Sequence, residues 1–435
     1  MIQPAVLPGK METIRSLPVD ALRQTSNNIN QGIRFMFFKS IFSLFLAALF
    51  FGCASSVSTV RDSRTTFVRD EIQPLIDSGE FPGAISILYN NGIQETACVG
   101  FADVENKIPI ATDQLFMQCS QTKGFCGVTI AILVEEGKIS LDDPVHKYLP
   151  QFKNLTVAVK DKDGKVTISP AKNTLTVRMV MNHTGGFSFE IPTKAKKGWP
   201  ALSLQDTAEE AASIPLNFEP GTASKYSNTG IDIGAAIVEV VTGKKWDVFL
   251  KERVLDPLGM TQTTFNPSDE QLKNIIKMYN VSKGKPAQLR EFHPAMPLPH
   301  NGPDVHPSAG AGLWTTANDQ IKFYKMLMNL GIGDNGVRIL KENTVRNLLA
   351  TSSRPSKFGG YSLGLTINNN GYFGHGGAWG TLCIVDPDKK YLRLWVVQLT
   401  GNPAKLNAAR IRGTEKFFAA KIDNSSIDAY TGRMQ

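Results

Sequence analysis

The chain has 435 residues, of which 42% are hydrophobic and 20% are charged. This composition excludes a disordered, collagen-like or low-complexity chain and is sufficient to bury a large core. The formal net charge is +8, but no long run of Lys or Arg concentrates it, so no nucleic-acid partner is expected. Residues 1–53 hold five basic and two acidic residues, so part of the basic excess belongs to the N-terminus.

The first distinctive segment is the apolar run Ile41–Gly52, which follows Arg34 and Lys39. Its twelve residues would rise only about 18 Å as a helix and cannot cross a hydrocarbon core about 30 Å thick. A short apolar run behind positive charges is typical of a secretory signal, and a small residue followed by Cys53 resembles a bacterial lipobox. We expect a lipoprotein-type signal over residues 36–52 and acylation of Cys53. A plain signal peptide with an incidental cysteine and a signal anchor are the alternatives.

The rest of the chain divides around one predicted domain. Residues 1–35 lack hydrophobic periodicity and are rich in Asn and Gln, which indicates a non-native or disordered extension before a true start at Met36. Residues 53–65 are predicted to be a linker, residues 66–422 the domain and residues 423–435 a tail. These boundaries predict an exported protein of the periplasm or cell envelope, held at the membrane as a lipoprotein.

Strands are predicted at both ends of this domain. Asn90-Asn91-Gly92 separates the β-rich runs 84–89 and 93–100 and predicts a hairpin, because Asn-Gly tolerates the positive φ angles of a tight turn. Strands over 381–385 and 391–399 predict a second hairpin. Hydrophobic periodicity predicts helices over 65–78, 128–136, 231–241, 319–330 and 404–422, with a small exposed hairpin over 155–168. The fold class is therefore α+β: an antiparallel sheet from both chain ends, flanked by helices, with a mostly helical lobe inserted.

Cysteines and histidines give no indication of a metal site. The spacing of Cys98, Cys119, Cys126 and Cys383 matches no zinc pattern, and buried free thiols are expected. His293, His300 and His306 lie in a Pro/Gly-rich loop without the short ligand spacing or carboxylate partners of a metal centre. His183 is expected to hold a loop by hydrogen bonds. No metal and no cofactor is predicted.

The first chemical motif is Ser120-Gln121-Thr122-Lys123, at the start of an apolar helical segment. Residues three apart share a helix face, so Lys123 can reach the Ser120 hydroxyl. Serine needs an adjacent base to act as a nucleophile, and lysine can serve when its pKa is lowered. The alternative is a helix-capping serine beside a surface lysine. The Ser-x-x-Lys matches at Ser169 and Ser282 lack this helical context.

Two further motifs contribute polar groups. Tyr226-Ser227-Asn228 stands in a loop leading into a helix, where the Tyr226 phenol can act as a base and Asn228 can orient a lysine or a substrate carbonyl. The alternative is a buried tyrosine with a helix-capping asparagine. His375-Gly376-Gly377-Ala378 enters a strand, and its glycines permit close approach of backbone N–H groups to a ligand. The alternative is a glycine-rich turn before an edge strand.

In this order, the three motifs resemble the serine beta-lactamase-like family, which groups class C beta-lactamases, DD-peptidases, D-aminopeptidases and related esterases. Three further segments support the resemblance, which covers about residues 66–422: 181–186, 255–260 and 308–319. It implies that Ser120 is acylated, that Lys123 and Tyr226 shuttle its proton and that Asn228 supports them. It also implies that the N–H groups of Ser120 and Ala378 form an oxyanion hole beside Gly376 and Gly377.

One position departs from true class C beta-lactamases. His375 stands where their Lys-Thr-Gly motif has lysine, and histidine is mostly neutral at neutral pH. The resemblance therefore implies a serine hydrolase of small-molecule ester, amide or peptide substrates, closer to the esterase and peptidase branches than to efficient beta-lactamases, and the predicted signal adds export. The alternatives are a cell-wall D-alanyl-D-alanine peptidase or penicillin-binding enzyme, a class C-like beta-lactamase, and a non-catalytic envelope binding protein.

Overall fold

An eight-stranded antiparallel sheet organises the computed structural model of this chain. The structure describes residues 63–160, 162–191, 203–282, 284–290, 306–350, 360–401 and residue 408. Its strands are β1 (Gly83–Asn90), β2 (Ile93–Asp103), β3 (Ile108–Pro109), β10 (Gly360–Tyr361), β11 (Thr366–Ile367), β12 (Phe373–Gly376), β13 (Leu382–Asp386) and β14 (Tyr391–Val396). The strands are ordered β10-β11-β12-β13-β14-β1-β2-β3 across the sheet.

Both predicted hairpins are present in this sheet. Asn91 and Gly92 have φ angles of 41° and 100°, which the turn between β1 and β2 requires. The β13–β14 turn similarly places Lys390 at a φ angle of 56°. Strand β1 then pairs with β14 in antiparallel register, so the two ends of the domain meet at the centre of the sheet. The predicted α+β class and sheet arrangement are confirmed.

Three small sheets lie outside the main one. The first pairs β4 (Phe116–Met117) with β9 (Trp314–Thr315). In the sequence, β4 precedes the inserted lobe and β9 follows it. The predicted exposed hairpin is β5 (Thr156–Lys160) with β6 (Val166–Pro170). The third sheet contains β7 (Tyr279–Val281), β8 (Gln288–Leu289) and β15 (Leu399–Gly401).

Helices supply most of the inserted lobe and cover the sheet. They are α1 (Ser63–Asp77), α2 (Thr122–Glu135), α3 (Val177–Met181), α4 (Leu204–Ser213), α5 (Asn228–Thr242), α6 (Trp246–Leu250), α7 (Asp269–Leu272), α8 (Ala317–Met328) and α9 (Glu342–Leu349). Shorter turns are the 3₁₀ segments Cys119–Gln121, Val145–Lys147 and Pro150–Asn154 and the π turn Lys251–Leu255. Helix α2 is buried from Thr122 to Leu133 and packs against α5, and its Phe125 stacks on Phe323 with ring centroids 3.8 Å apart.

The two helices that carry motif residues begin three or more residues earlier than hydrophobic periodicity predicts. Helix α2 starts six residues before the predicted 128 and α5 three before the predicted 231, because their first turns carry the polar residues of the motifs. Cys53, the predicted signal, His293 and His300 lie outside the described residues, as does nearly all of the predicted helix 404–422. Within the described ranges, we find no helix with the length and apolarity needed to span a membrane.

Candidate active site

Ser120 lies in a 3₁₀ turn and not in the first turn of the α-helix. The preceding Cys119 adopts a φ angle of 50°, and helix α2 begins two residues after Ser120. Its N-cap is Gln121, which makes no side-chain capping hydrogen bond. The helix-capping interpretation of Ser120 is therefore wrong. Ser120 is half-buried, and its hydroxyl lies within hydrogen-bonding distance of the Lys123 amine.

Lys123 is completely buried and has three oxygen atoms around its amine. The Nζ atom lies 3.1 Å from Ser120 Oγ, 2.6 Å from Asn228 Oδ1 and 2.6 Å from the carbonyl oxygen of Gly310. The last two oxygens can only accept hydrogen bonds. A neutral amine therefore donates both its N–H groups to them and directs its lone pair at the Ser120 hydroxyl.

Burial allows the Lys123 amine to be uncharged near neutral pH. Loss of hydration disfavours the ammonium and lowers the pKa of Lys123 from 10.5 to about 7, although the nearby charges of Asp232 and Glu190 oppose this shift. The alternative of a solvated surface lysine is therefore wrong. Lys123 has the position and the proton affinity of a general base.

Tyr226 packs over Lys123 in the loop before α5. The Lys123 Nζ atom lies 4.6 Å from the centroid of the Tyr226 ring, and the ring of His183 lies 4.5 Å from it. His183 Nδ1 accepts the N–H of Ser227 at 3.3 Å, and its carbonyl accepts the N–H of Lys225 at 2.9 Å. As the sequence predicts, His183 holds this loop by hydrogen bonds.

Asn228 links the buried lysine to a carboxylate. Its Oδ1 accepts from Lys123, and its Nδ2 donates to Glu190 Oε1 at 2.5 Å. The helix cap is the neighbouring Ser227, whose hydroxyl accepts the N–H of Gly230 at 3.1 Å. The helix-capping interpretation of Asn228 is thus wrong. Sequence reasoning missed Glu190, although a carboxylate between apolar Phe189 and Ile191 is a usable signal.

His375 is buried at the end of β12 and uses both ring nitrogens. Nδ1 lies 2.6 Å from the carbonyl oxygen of Gly376, and Nε2 lies 2.9 Å from the Tyr361 hydroxyl. Because a carbonyl only accepts, Nδ1 carries the proton and Nε2 accepts from Tyr361. Burial, aided by the charge of Lys123, lowers the pKa of His375 to about 3, so this ring is neutral at neutral pH.

The end of β12 also lies against the segment that leads to Ser120. A Cβ atom on Gly377 would stand 2.5 Å from the carbonyl oxygen of Gln118, so only glycine fits there. The backbone N–H groups of Ala378 and Trp379 lie within hydrogen-bonding reach of the Cys119 sulfur. Both groups are therefore beside the residue that precedes Ser120. The structure thus brings Ser120, Lys123, Tyr226, Asn228 and the 375–378 segment into one site.

Asp232 is a second carboxylate that sequence reasoning missed. It is fully buried on α5, one turn after Asn228, and His306 Nε2 lies 3.6 Å from its Oδ2 atom. Four cysteines, Cys98, Cys119, Cys126 and Cys383, are free thiols, and all but the half-buried Cys98 are buried. Within the described residues, no group of three or more His, Cys, Asp or Glu side chains could hold a metal ion.

Comparison with known proteins places the chain in a family of serine hydrolases. The Beta-lactamase family model matches residues 68–415, and the chain belongs to that family. This confirms the resemblance that the ordered motifs indicate.

Individual relatives extend this similarity over most of the domain. Protein Rv1367c from Mycobacterium tuberculosis is 27% identical over 396 residues, covering 80% of this chain and 97% of that protein. EstCE1, a hydrolase with promiscuous acyltransferase activity, is 22% identical, with 80% and 98% of the two chains covered and a TM-score of 0.66. The octameric penicillin-binding protein homologue from Pyrococcus abyssi is 21% identical, with 84% and 79% covered and a TM-score of 0.63. The two solved structures establish a shared fold.

Proposed function

We propose that this protein is a serine hydrolase that cleaves an ester or amide bond through an acyl-enzyme on Ser120. The observation that carries the proposal is the buried Lys123 amine, 3.1 Å from Ser120 Oγ, with a pKa lowered to about 7. A free serine hydroxyl is a weak nucleophile, and an adjacent base with this proton affinity overcomes that weakness at neutral pH.

In the acylation step, Ser120 Oγ attacks the substrate carbonyl carbon and its proton passes to Lys123 Nζ. The negative charge on the tetrahedral intermediate is stabilised by the backbone N–H groups of Ser120 and Ala378. The Tyr226 hydroxyl donates a proton to the departing alcohol or amine, and Lys123 returns its proton to Tyr226. A water molecule then attacks the acyl-enzyme, its proton passes through the same pair, and Ser120 Oγ regains a proton as the acid leaves.

The state of His375 favours uncharged substrates. A fixed cation at this position would attract the carboxylate of beta-lactams and of peptide C-termini, whereas a buried neutral imidazole offers no charge for such a contact. We therefore infer that uncharged esters are turned over faster than beta-lactams. Similarity to a putative D-alanyl-D-alanine carboxypeptidase from Escherichia coli, 27% identical over 329 residues, supports D-alanyl-D-alanine peptidase activity as the second candidate.

The test is labelling with a fluorophosphonate and with fluorescent penicillin, together with turnover of a p-nitrophenyl ester, a D-alanyl-D-alanine peptide and nitrocefin. Ser120→Ala should abolish labelling and turnover, and Ser169→Ala, in the second Ser-x-x-Lys match, should change neither. Ester turnover with negligible nitrocefin turnover supports an esterase, and peptide turnover supports the second candidate. Labelling that survives in Ser120→Ala would refute the nucleophile assignment, and an absence of all labelling would favour a non-catalytic binding protein.

We further propose that the protein is exported and anchored through an acyl group on Cys53. The support is the apolar run Ile41–Gly52 behind Arg34 and Lys39, which is too short to span a bilayer. In cells grown with a clickable palmitate, the wild type should be labelled and recovered with membranes. Cys53→Ser should lose the label, whereas Cys98→Ser should keep it. A label that persists in Cys53→Ser would contradict the proposal.

A further inference from the structure

Helix α5 presents two polar side chains toward Lys123 from one face. Asn228 and Asp232 are four residues apart and therefore project from the same side of the helix. Asn228 accepts directly from Lys123, and Asp232 is fully buried in a helix that is otherwise mostly apolar. A buried carboxylate is costly unless hydrogen bonds and a compensating charge accompany it, so its partners identify its role.

The segment 306–310 supplies three close contacts of Asp232. Asp232 Oδ1 accepts the backbone N–H of Gly310 at 3.0 Å and the hydroxyl of Ser308 at 3.1 Å. His306 Nε2 lies 3.6 Å from Oδ2. The carbonyl of the same Gly310 residue accepts from Lys123 Nζ at 2.6 Å. One residue therefore links the carboxylate to the amine, donating to the first and accepting from the second.

Gly310 has little freedom to move away from this arrangement. A Cβ atom at Gly310 would stand 2.7 Å from Asn228 Cβ, so the loop backbone lies directly against the first turn of α5. Release of the Gly310 N–H from Asp232 would leave a buried donor unsatisfied, which the fold would relieve by shifting the loop. Such a shift would withdraw one of the two acceptors that orient the Lys123 lone pair toward Ser120.

We propose that Asp232 is a positioning residue for Lys123: it fixes the Gly310 carbonyl that orients the amine, and it places a negative charge within electrostatic reach of that amine. This inference rests on the proposed function, in which Lys123 takes the proton of Ser120. Asp232 touches neither the nucleophile nor the substrate carbonyl in this scheme and acts only through Gly310 and through its charge.

The sign of the electrostatic effect follows from the groups that surround Lys123. Of the neighbouring charges that favour the ammonium form, Asp232 contributes more than Glu190, and the Cys119 thiol contributes least. Three further titratable groups also face Lys123: Tyr226, His183 and His375. Both histidines have lowered pKa values because they are buried and remain uncharged at neutral pH. Removal of the Asp232 charge must therefore favour the neutral amine and move its titration to lower pH.

The experiment compares pH profiles of kcat/KM for a p-nitrophenyl ester between pH 5 and 9. Asp232→Asn keeps an oxygen to accept the Gly310 N–H but loses the charge, so its acidic limb should move down by about one pH unit. Ser308→Ala keeps the charge and should keep the limb while lowering kcat/KM. Glu239→Gln removes a carboxylate elsewhere on α5 and should leave the profile unchanged.

Two results would overturn the proposal: an unshifted limb in Asp232→Asn, or an equal shift in Glu239→Gln. If Asp232→Asn does not fold, Asp232→Glu provides the test, because it retains the charge and displaces the carboxylate. It should keep the limb and lose at least about tenfold in kcat/KM, and wild-type kcat/KM in this variant would refute the positioning role. Fluorophosphonate labelling that does not depend on Ser120 would instead indicate failure of the proposed function itself.

Discussion

Lys123 and His375 are buried basic side chains of the same site, yet Lys123 can change its charge near neutral pH and His375 cannot. Lys123 lies at the start of α2 with the carboxylates of Asp232 and Glu190 in electrostatic reach, and burial lowers its pKa to about 7. His375 lies at the end of β12 between a hydroxyl and a carbonyl group. Burial and the charge of Lys123 lower the pKa of His375 to about 3.

Both pKa values fall by a similar amount from their ordinary values of 10.5 and 6.5, so the different outcomes follow mainly from the higher ordinary pKa of a lysine amine. Carboxylates around Lys123 partly compensate the lost hydration of its charged form, so this amine can change charge near pH 7. The ring nitrogens of His375 contact the uncharged Tyr361 hydroxyl and the Gly376 carbonyl, and the buried ring stays neutral and contributes hydrogen bonds. At neutral pH the site therefore contains a proton acceptor, Lys123, and a neutral hydrogen-bonding group, His375.

The largest effect is expected from removal of the base. Lys123→Met should lower kcat/KM for an ester by roughly 10²- to 10⁴-fold, because Ser120 loses its proton acceptor. Lys172→Met, in the exposed Ser-x-x-Lys match, should retain full activity. Steady-state kinetics on both purified variants provide the measurement, and near-normal turnover by Lys123→Met would exclude it as the base.

The second effect concerns the pH profile. Lys123 must be neutral to accept a proton, so kcat/KM should fall as the pH decreases through about 7. His375→Gln should lower activity and leave this limb in place, because His375 is already neutral above about pH 3. If the acidic limb of the kcat/KM profile disappears in His375→Gln, the titrating group is the histidine, and the roles assigned to Lys123 and His375 are reversed.

The third effect concerns the close packing beside Ser120. Gly377→Ala would bring a Cβ atom within 2.1 Å of Thr381 Oγ1 and 2.5 Å of the Gln118 carbonyl oxygen, and it should lower the free energy of unfolding by about 1–3 kcal/mol. Its ester turnover should fall as well, since the 375–378 segment must move. Urea unfolding that gives Gly377→Ala the stability of the wild type would contradict this packing argument.

The smallest effect on turnover is expected at the Tyr361 hydroxyl, which hydrogen-bonds to His375. Tyr361→Phe removes the hydroxyl that donates to Nε2 and should cost about 1–3 kcal/mol of stability through an unsatisfied buried acceptor. Ester kcat/KM should change only a few-fold, because neither charge nor nucleophile changes. A double-mutant cycle with His375→Gln measures the coupling between the two residues, and additive losses would show that the hydrogen bond contributes little.

The features that the residues alone predict are those coded by short-range spacing, whereas Tyr226 and Asn228 join the predicted site through the family resemblance of the ordered motifs. Ser120 and Lys123 fall three residues apart, and Asn91-Gly92 needs only its own turn geometry, so both are visible in the linear chain. Contacts across long separations are not: Gly310 meets Lys123 across 187 residues. Asp232 is visible in the sequence as a carboxylate inside an apolar helix. Such a carboxylate needs a buried partner, which predicts a polar site at this position.

The buried amine of Lys123 also links folding to proton release. In the unfolded chain this lysine has its ordinary pKa of 10.5, whereas in the folded protein the value is about 7. Above pH 10.5 neither state binds the proton, so there is no penalty, and the penalty grows as the pH falls to about 7. It then reaches about 5 kcal/mol, a large share of the stability of an ordinary domain. Relative to Lys123→Met, the wild type should therefore gain stability between pH 7 and pH 10 in urea unfolding, and a constant difference would disprove this linkage.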